Sequence, residues 1–139
     1  MKVFFDTNVY LRYIIPENQT SFEESERLLK LSESGKITPY VSNIVISEIV
    51  FTLNRTYKFH RKKILAFIEQ IISSRNLVLI ETTNTPQALD FYNKYNVKYG
   101  DSLIATQVPN GVVLCTYDPE FSKIKSLTIK NPAQIISLI

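Results

Sequence analysis

The sequence of 139 residues is poor in several residue types on which whole classes of protein depend. Its only cysteine is Cys115 and its only histidine is His60, which excludes a disulfide framework and a zinc site built from cysteine and histidine. The three glycines form neither a P-loop nor a G-x-G-x-x-G motif, so the common phosphate-binding loops are also excluded. No apolar run reaches the roughly 18 residues of a membrane span. Asp6 comes too early for a signal peptide, and we therefore expect a cytoplasmic protein with no membrane segment.

The composition is that of a folded domain of ordinary size. Hydrophobic residues make up 45% and charged residues 21% of the chain, which supplies enough apolar material for a core and argues against disorder. The sequence contains no linker, repeat or low-complexity tract, so residues 1–139 are predicted to form a single domain. The net charge of +3 is compatible with a polyanionic partner but does not demonstrate one.

The distribution of apolar runs predicts an α/β fold. Five short runs rich in β-branched or aromatic residues are typical of strands covered on both faces: Lys2–Phe5, Ile37–Val41, Leu77–Ile80, Val112–Thr116 and Leu127–Ile129. Helical patterns lie between them. The first begins at a capping box from Thr20 and stops at Gly35. Others begin at Ile44, at Arg61, and at Thr85, which is predicted to be an N-cap followed by proline. This alternation predicts a three-layer α/β/α domain with a mainly parallel five-stranded sheet.

Four of the thirteen acidic residues occupy positions where a solvated charge is unexpected. Asp6 ends the first predicted strand, Asp118 follows the fourth, and Asp101 opens a helical segment. Glu48 is the only charge from position 37 to 54, in a helix that is apolar almost all round and is therefore predicted to be buried. A lone buried carboxylate must be paired, hydrogen-bonded or bound to metal. No basic residue occurs from position 99 to 122, so two of these acids have no cation nearby in the sequence.

The fold class predicts that these acids converge. In an open parallel sheet, ligands bind outside the carboxyl ends of the strands, near the point where the strand order reverses. Four carboxylates that meet there need protons or divalent cations, and an all-oxygen ligand set favours Mg²⁺ or Mn²⁺ over zinc. Such a site supports phosphodiester hydrolysis by metal-activated water and requires no histidine base. Taken singly, each acid is also compatible with a helix N-cap, a solvated turn or, for Glu48, a buried ion pair.

Four motifs occur in order along the chain. They are Phe5-Asp6-Thr7-Asn8, Ser47-Glu48-Ile49, Asp101-Ser102-Leu103-Ile104-Ala105 and Thr116-Tyr117-Asp118-Pro119-Glu120-Phe121. Together they resemble the motifs of PIN-domain ribonucleases, most closely those of the VapC toxins of bacterial and archaeal toxin–antitoxin pairs. The resemblance spans nearly the whole chain and implies a Mg²⁺- or Mn²⁺-dependent endoribonuclease with a parallel five-stranded sheet between helices.

The resemblance also implies roles for individual residues. It implies four catalytic residues that bind one or two metal ions, namely Asp6, Glu48, Asp101 and Asp118, and three residues that orient the site, namely Thr7, Asn8 and Thr116. For Asn8, an Asx turn that closes the strand is an equally good explanation. The implied partners are an RNA substrate, a second copy of the chain in a homodimer, and a cognate antitoxin whose tail lies across the acidic cleft.

Basic and aromatic residues alternate between positions 55 and 63. Phosphate attraction combined with base stacking uses this composition, so Arg55, Lys58 and Arg61 are predicted to bind RNA. Arg55 lies about two helical turns after Glu48, on the same face of a continuous helix. The solvated start of a helix would show the same run of charges.

Three other functions are compatible with an α/β domain of this kind. A PIN-domain nuclease could process RNA or act in quality control without a toxin role, and a small neighbouring gene for a DNA-binding protein would favour the toxin. A receiver-like phosphoacceptor would need paired acids near the first strand and a lysine after a late one, whereas Asp6 stands alone and Lys123 or Lys130 is poorly placed. A non-catalytic binding module would not need all four acids.

Overall fold

The computed structural model describes residues 1–139 and contains a five-stranded sheet in which all neighbouring strands are parallel. The strands are β1 (Lys2–Phe5), β2 (Thr38–Ser42), β3 (Val78–Ile80), β4 (Val113–Cys115) and β5 (Ile129–Lys130). The parallel sheet and its five strands are confirmed, with ends that differ from the prediction by at most two residues. The strand β5 begins later than predicted because Leu127 donates its N–H to the Ile124 carbonyl at 3.2 Å and so closes a turn.

Seven α-helices connect and flank these strands. They are α1 (Thr7–Ile14), α2 (Gln19–Glu33), α3 (Asn43–Arg55), α4 (Arg61–Ile72), α5 (Thr85–Tyr95), α6 (Tyr99–Gln107) and α7 (Pro132–Ser137), with a 3₁₀ helix (Pro119–Lys123) between β4 and β5. None of these helices combines the length and the apolar character that crossing a lipid bilayer requires.

Asparagine side chains cap two helices whose starts were misplaced by the sequence patterns. The capping box at Thr20 is wrong, because α2 begins earlier and the Asn18 side chain accepts a first-turn backbone N–H at 2.9 Å. Thr85 is the first residue of α5 rather than its N-cap, since Asn84 accepts a backbone N–H at 3.0 Å. The predicted stop at Gly35 is confirmed, and its φ of +82° is the left-handed conformation that favours glycine after a helix end.

The strand order β3-β2-β1-β4-β5 places β1 and β4 side by side at the centre of the sheet. The chain builds β2 and β3 on one side of β1 and then returns to build β4 and β5 on the other. Phe5 at the end of β1 pairs with Cys115 at the end of β4, so the residues that follow these two strands emerge next to each other. This is the switch point at which open parallel sheets bind their ligands.

Both faces of the sheet are covered. Val3, Phe4 and Phe5 are all fully buried, although successive side chains of a strand point to opposite faces. The buried apolar residues form one cluster that includes side chains from strands and helices. Helices therefore pack against both sides of the sheet, as the prediction of a three-layer α/β domain requires.

The helix α3 is not buried all round, which corrects the prediction drawn from its apolar sequence. Val45, Ile49 and Leu53 recur every fourth residue, are fully buried and form the face that packs on the core. Val50 and Phe51 are 38% and 62% exposed. Apolar content alone does not separate a helix covered on every side from one whose second apolar face is open to solvent.

Candidate active site at the switch point

The four acids singled out in the sequence line one cleft. Asp6 lies between β1 and α1, Glu48 lies in the middle of α3, Asp101 lies in the first turn of α6, and Asp118 precedes the 3₁₀ helix after β4. The cleft is therefore built from four separate parts of the chain at the carboxyl ends of the two central strands. The topology places acids there that are far apart in the sequence.

Asp6 is the most firmly held of the four. Its backbone N–H donates to the Cys115 carbonyl at 3.0 Å, which extends the pairing of β1 with β4. Its side chain caps α1, because Oδ1 accepts the Thr7 N–H at 2.8 Å. The other oxygen, Oδ2, accepts the Thr116 hydroxyl at 2.6 Å. With only 4% of its surface exposed, Asp6 is a buried carboxylate with both oxygens hydrogen-bonded.

Two threonine hydroxyls connect Asp6 to its acidic neighbours. Thr7, the residue after Asp6, donates from Oγ1 to Glu48 Oε2 at 2.6 Å. Thr116 donates to Asp6 and in turn accepts the Asp118 N–H at 2.9 Å. These bonds orient the carboxylates of Asp6 and Glu48 and hold the backbone at Asp118, and each carboxylate oxygen so bonded retains a second lone pair.

Asp101 enters the cleft from α6 at a point where two helices approach closely. A Cβ atom at the preceding residue, Gly100, would lie 3.4 Å from Glu48 Oε1, so glycine leaves room for the Glu48 carboxylate beside the start of α6. The Asp101 Oδ2 atom is buried and has no hydrogen-bond partner. A buried carboxylate oxygen without a donor is costly unless it binds a proton or a cation.

The crowding of carboxylates changes the pKa values of two of them. Burial raises the pKa of Asp6 to about 6, opposed by its hydrogen bonds to Thr116 and Thr7 and reinforced by the charges of Glu48 and Asp118. Burial, and then the charges of the other three acids, raise the pKa of Asp101 to about 6, while Lys98 lowers it. Both shifts mean that the ionised forms of these two carboxyl groups are destabilised in the cleft. A bound cation would relieve this repulsion, so the site is electrostatically suited to attract cations.

The donor set of the cleft fits a hard divalent cation by its chemistry. The acidic groups offer only carboxylate oxygens, which Mg²⁺ and Mn²⁺ prefer, and Asp101 Oδ2 has no other partner. No set of three or more Asp, Glu, His or Cys side chains is arranged to hold one ion as it stands. Binding would therefore require these side chains to rotate toward a shared ion.

The remaining predicted residues fall into two groups. Asn8 lies in the first turn of α1 and lines the cleft, and its role in orienting the site stays a prediction. Arg55, Lys58 and Arg61 are exposed but do not line the cleft. Arg55 ends α3, and Arg61 lines a neighbouring groove between α3 and α4. RNA binding by these three basic residues stays a prediction.

Several residues that line the cleft were not predicted from the sequence. Lys98 is its only basic lining residue, and it immediately precedes the stretch from position 99 in which no basic residue was found. Lys98 lies three residues before Asp101, just outside the first turn of the helix. This helical spacing could have indicated from the sequence that Lys98 lies near Asp101. Phe51 and Thr52 also line the cleft, one turn along α3 from Glu48, and helical spacing alone could have indicated them.

Replacing Thr116 by valine is expected to destabilise the fold by about 1–3 kcal/mol at neutral pH relative to Thr116→Ser. Valine matches the shape of threonine but leaves Asp6 Oδ2 without its donor and the Asp118 N–H without its acceptor, whereas serine keeps the hydroxyl. The measurement is the urea midpoint of both variants at equal m-value. Equal midpoints would show that the hydroxyl does not hold the cleft together.

Comparisons with known proteins agree on one fold. A protein-family model described as PIN domain matches residues 3–127. The chain is similar to the solved structure of VapBC2 from Rickettsia felis bound to a DNA fragment from their promoter, with 18% identity, a TM-score of 0.64, and coverage of 94% of this chain and 98% of that one. It is also similar to DNA-bound VapBC from Salmonella typhimurium, with 20% identity, a TM-score of 0.71, and coverage of 95% of this chain and 98% of that one. A third similar structure is a toxin–antitoxin complex from Klebsiella pneumoniae, with 17% identity, a TM-score of 0.61, and coverage of 94% of this chain and 97% of that one. Curated proteins gave no match.

Proposed function

Because the chain belongs to the PIN-domain family, we propose that it is a Mg²⁺- or Mn²⁺-dependent endoribonuclease and the toxin of a toxin–antitoxin pair. One observation carries the proposal: Asp6, Glu48, Asp101 and Asp118 line a single cleft at the switch point of the sheet. A cluster of acids is unfavourable in a merely structural role, since the pKa values of Asp6 and Asp101 are both raised to about 6.

Each acid has a distinct part in the proposed site. Asp6 and Asp101 would hold one or two Mg²⁺ or Mn²⁺ ions, with Glu48 and Asp118 completing the ligands directly or through water. A divalent ion in such a site supplies activation of water and neutralisation of charge on a phosphate. Thr7 fixes the orientation of Glu48 through the hydroxyl hydrogen bond described above.

In the proposed reaction, water attacks an RNA phosphodiester in line and leaves 5′-phosphate and 3′-hydroxyl ends. The cleft carboxylates orient the attack, and Lys98, exposed at the rim and free of any ion pair, binds a phosphate oxygen. Arg55, Lys58 and Arg61 attract the flanking backbone. Cations around an acidic centre are required in such a site because four carboxylates alone repel a polyanion.

The proposed partners are a cognate antitoxin and a second copy of the chain. The similar structures from Rickettsia felis and Salmonella typhimurium are VapBC proteins bound to DNA, and the structure from Klebsiella pneumoniae is a toxin–antitoxin complex. These relatives support a cognate antitoxin as a partner. We propose in addition that the tail of the antitoxin obstructs the cleft and that the reaction takes place in the cytoplasm. An RNA-processing enzyme of the same family would have the same cleft but no antitoxin.

The test of the proposed function is cleavage of single-stranded RNA by the purified protein with Mg²⁺, with Mn²⁺ and with a chelator. We expect cleavage with either ion and none with the chelator, and products with 5′-phosphate ends, because the ribose 2′-hydroxyl takes no part. End-labelling distinguishes these products from 2′,3′-cyclic phosphates. Cyclic ends, or equal cleavage in the chelator, would refute the mechanism.

A further inference from the structure

A groove between α3 and α4 carries an exposed apolar surface that the core does not explain. It is lined mainly by Val50, Phe51 and Asn54 of α3 and by Arg61, Ile64 and Leu65 of α4, and it is called the α3–α4 groove here. Phe51 and Leu65 are 62% and 53% exposed. Exposed large apolar side chains grouped in this way mark a binding surface more often than a structural accident.

The α3–α4 groove is continuous with the acidic cleft. Ser47 and Phe51 line both, because they lie on either side of Glu48 along α3 and face the boundary between the two depressions. A polymer held with one phosphate at the cleft therefore reaches the groove past these two shared residues. Phe51 stands at the entrance to that path.

The charges around the groove favour a polyanion with flat apolar groups. No acidic residue lines it, whereas Arg61 does. The Arg55 guanidinium lies 5.9 Å from the centre of the Phe51 ring, so a cation is adjacent to the exposed aromatic ring. Arginine beside an exposed aromatic ring is the combination with which proteins bind single-stranded nucleic acid, the ring stacking on a base and the cation attracting the backbone.

We propose that the α3–α4 groove binds the single-stranded RNA that leaves the cleft on one side of the scissile phosphate, and that Phe51 stacks on the base nearest the cleft. The inference rests on the proposed function, which it extends by a substrate path and a positioning residue. Arg61 binds a phosphate farther along the groove, and the Asn54 amide is placed to contact a base edge. Since every base has a flat face, stacking on Phe51 tolerates all four bases.

The test compares Phe51→Ala with Phe51→Trp in the Asp101→Asn background, so that binding is measured without cleavage. We expect Phe51→Ala to weaken binding of a fluorescent single-stranded oligoribonucleotide with Mg²⁺ by about 5- to 100-fold, the range of one lost base stack. Phe51→Trp restores the affinity. Tyr92→Ala is the matched control, because Tyr92 is also exposed (52%) but lies on α5, away from the groove. We expect this control variant to bind the oligoribonucleotide with unchanged affinity.

A second substrate separates stacking from general damage. An oligoribonucleotide that lacks the base next to the cleavage site should bind wild type and Phe51→Ala about equally. Equal binding of normal RNA by wild type and Phe51→Ala would overturn the inference. It would also be overturned if Phe51→Ala lost self-association in sedimentation but kept its RNA affinity, because the groove would then be an interface between copies of the chain. Failure of the wild type to cleave RNA would contradict the proposed function instead, since binding is measured separately.

Discussion

Replacing Asp101 by asparagine is expected to lower the rate of RNA cleavage by about 100- to 1,000-fold, the loss typical of one preorganised charge-stabilising group. Asparagine has nearly the same shape, so the fold is kept, but it carries no negative charge and one oxygen fewer with which to bind a cation. The Asp101 Oδ2 atom is the one carboxylate oxygen of the cleft that is buried without a partner. Its replacement therefore removes a proposed metal ligand and breaks no hydrogen bond of Oδ2. The measurement is the initial rate of cleavage with saturating Mg²⁺.

The matched control for this variant is Asp90→Asn. Asp90 is an exposed aspartate on α5 and does not line the cleft, so the same change of charge should leave the rate unaltered. Calorimetric titration with Mn²⁺ adds a readout that does not depend on RNA, and Asp101→Asn should bind the ion more weakly. A variant with unchanged rate and unchanged Mn²⁺ affinity would remove Asp101 from the site.

The fold itself should lose stability as the pH rises from about 4 to about 6 when divalent ions are removed. The pKa of Asp6 is about 6 in the folded protein, against 3.8 for an ordinary, solvated aspartate. Between these values the folded state holds a proton that the unfolded state has released, so its stabilising contribution is complete below pH 4 and is lost through pH 6. One pKa unit corresponds to about 1.4 kcal/mol, which gives about 3 kcal/mol for the buried Asp6. Asp101 acts in the same direction but less strongly, because solvent reaches it.

Asp6→Asn isolates this contribution from the other acids of the chain. In a chelator at pH 7, the variant is expected to unfold at higher urea concentration than the wild type, because it carries no charge in a buried position. Adding Mg²⁺ should stabilise the wild type by mass action, by about 2.7 kcal/mol at one hundred times the dissociation constant, and leave the variant unchanged. An unchanged or lower urea midpoint for Asp6→Asn in the chelator would contradict the assignment.

Strand positions were predictable because the strands are continuous apolar runs, whereas the order of the strands in the sheet was not predicted. The first strand was predicted at both ends, Lys2 and Phe5, since the apolar run stops at the charge of Asp6. Helix starts were less predictable, because both Asn18 and Thr20 are good N-cap residues. Only the path of the chain between α1 and α2 decides that Asn18 is the cap.

The convergence of the acids followed from the fold class, whereas the surroundings of the cleft did not. Strand ends at a switch point bring Asp6 and Asp118 together whatever the helices do. Lys98 and Phe51 reach the cleft only through the packing of α6 and α3. The exposure of Phe51 depends on which face of α3 is covered, and a helix that is apolar on two faces gives the same sequence pattern in either case.

The central pairing of β1 with β4 has a consequence for biosynthesis. The hydrogen bond from Thr116 to Asp6 joins positions that are 110 residues apart, so a contact that completes the cleft also closes a very long loop of the chain. Such contacts form late and slowly in folding. A nascent chain still lacking β4 has neither Thr116 nor Asp118, and the edge of β1 that β4 would cover stays open. If the chain has the proposed nuclease activity, a polypeptide that ends before Asp118 would be inactive, and RNA would be cleaved only after translation has passed the last of the four acids.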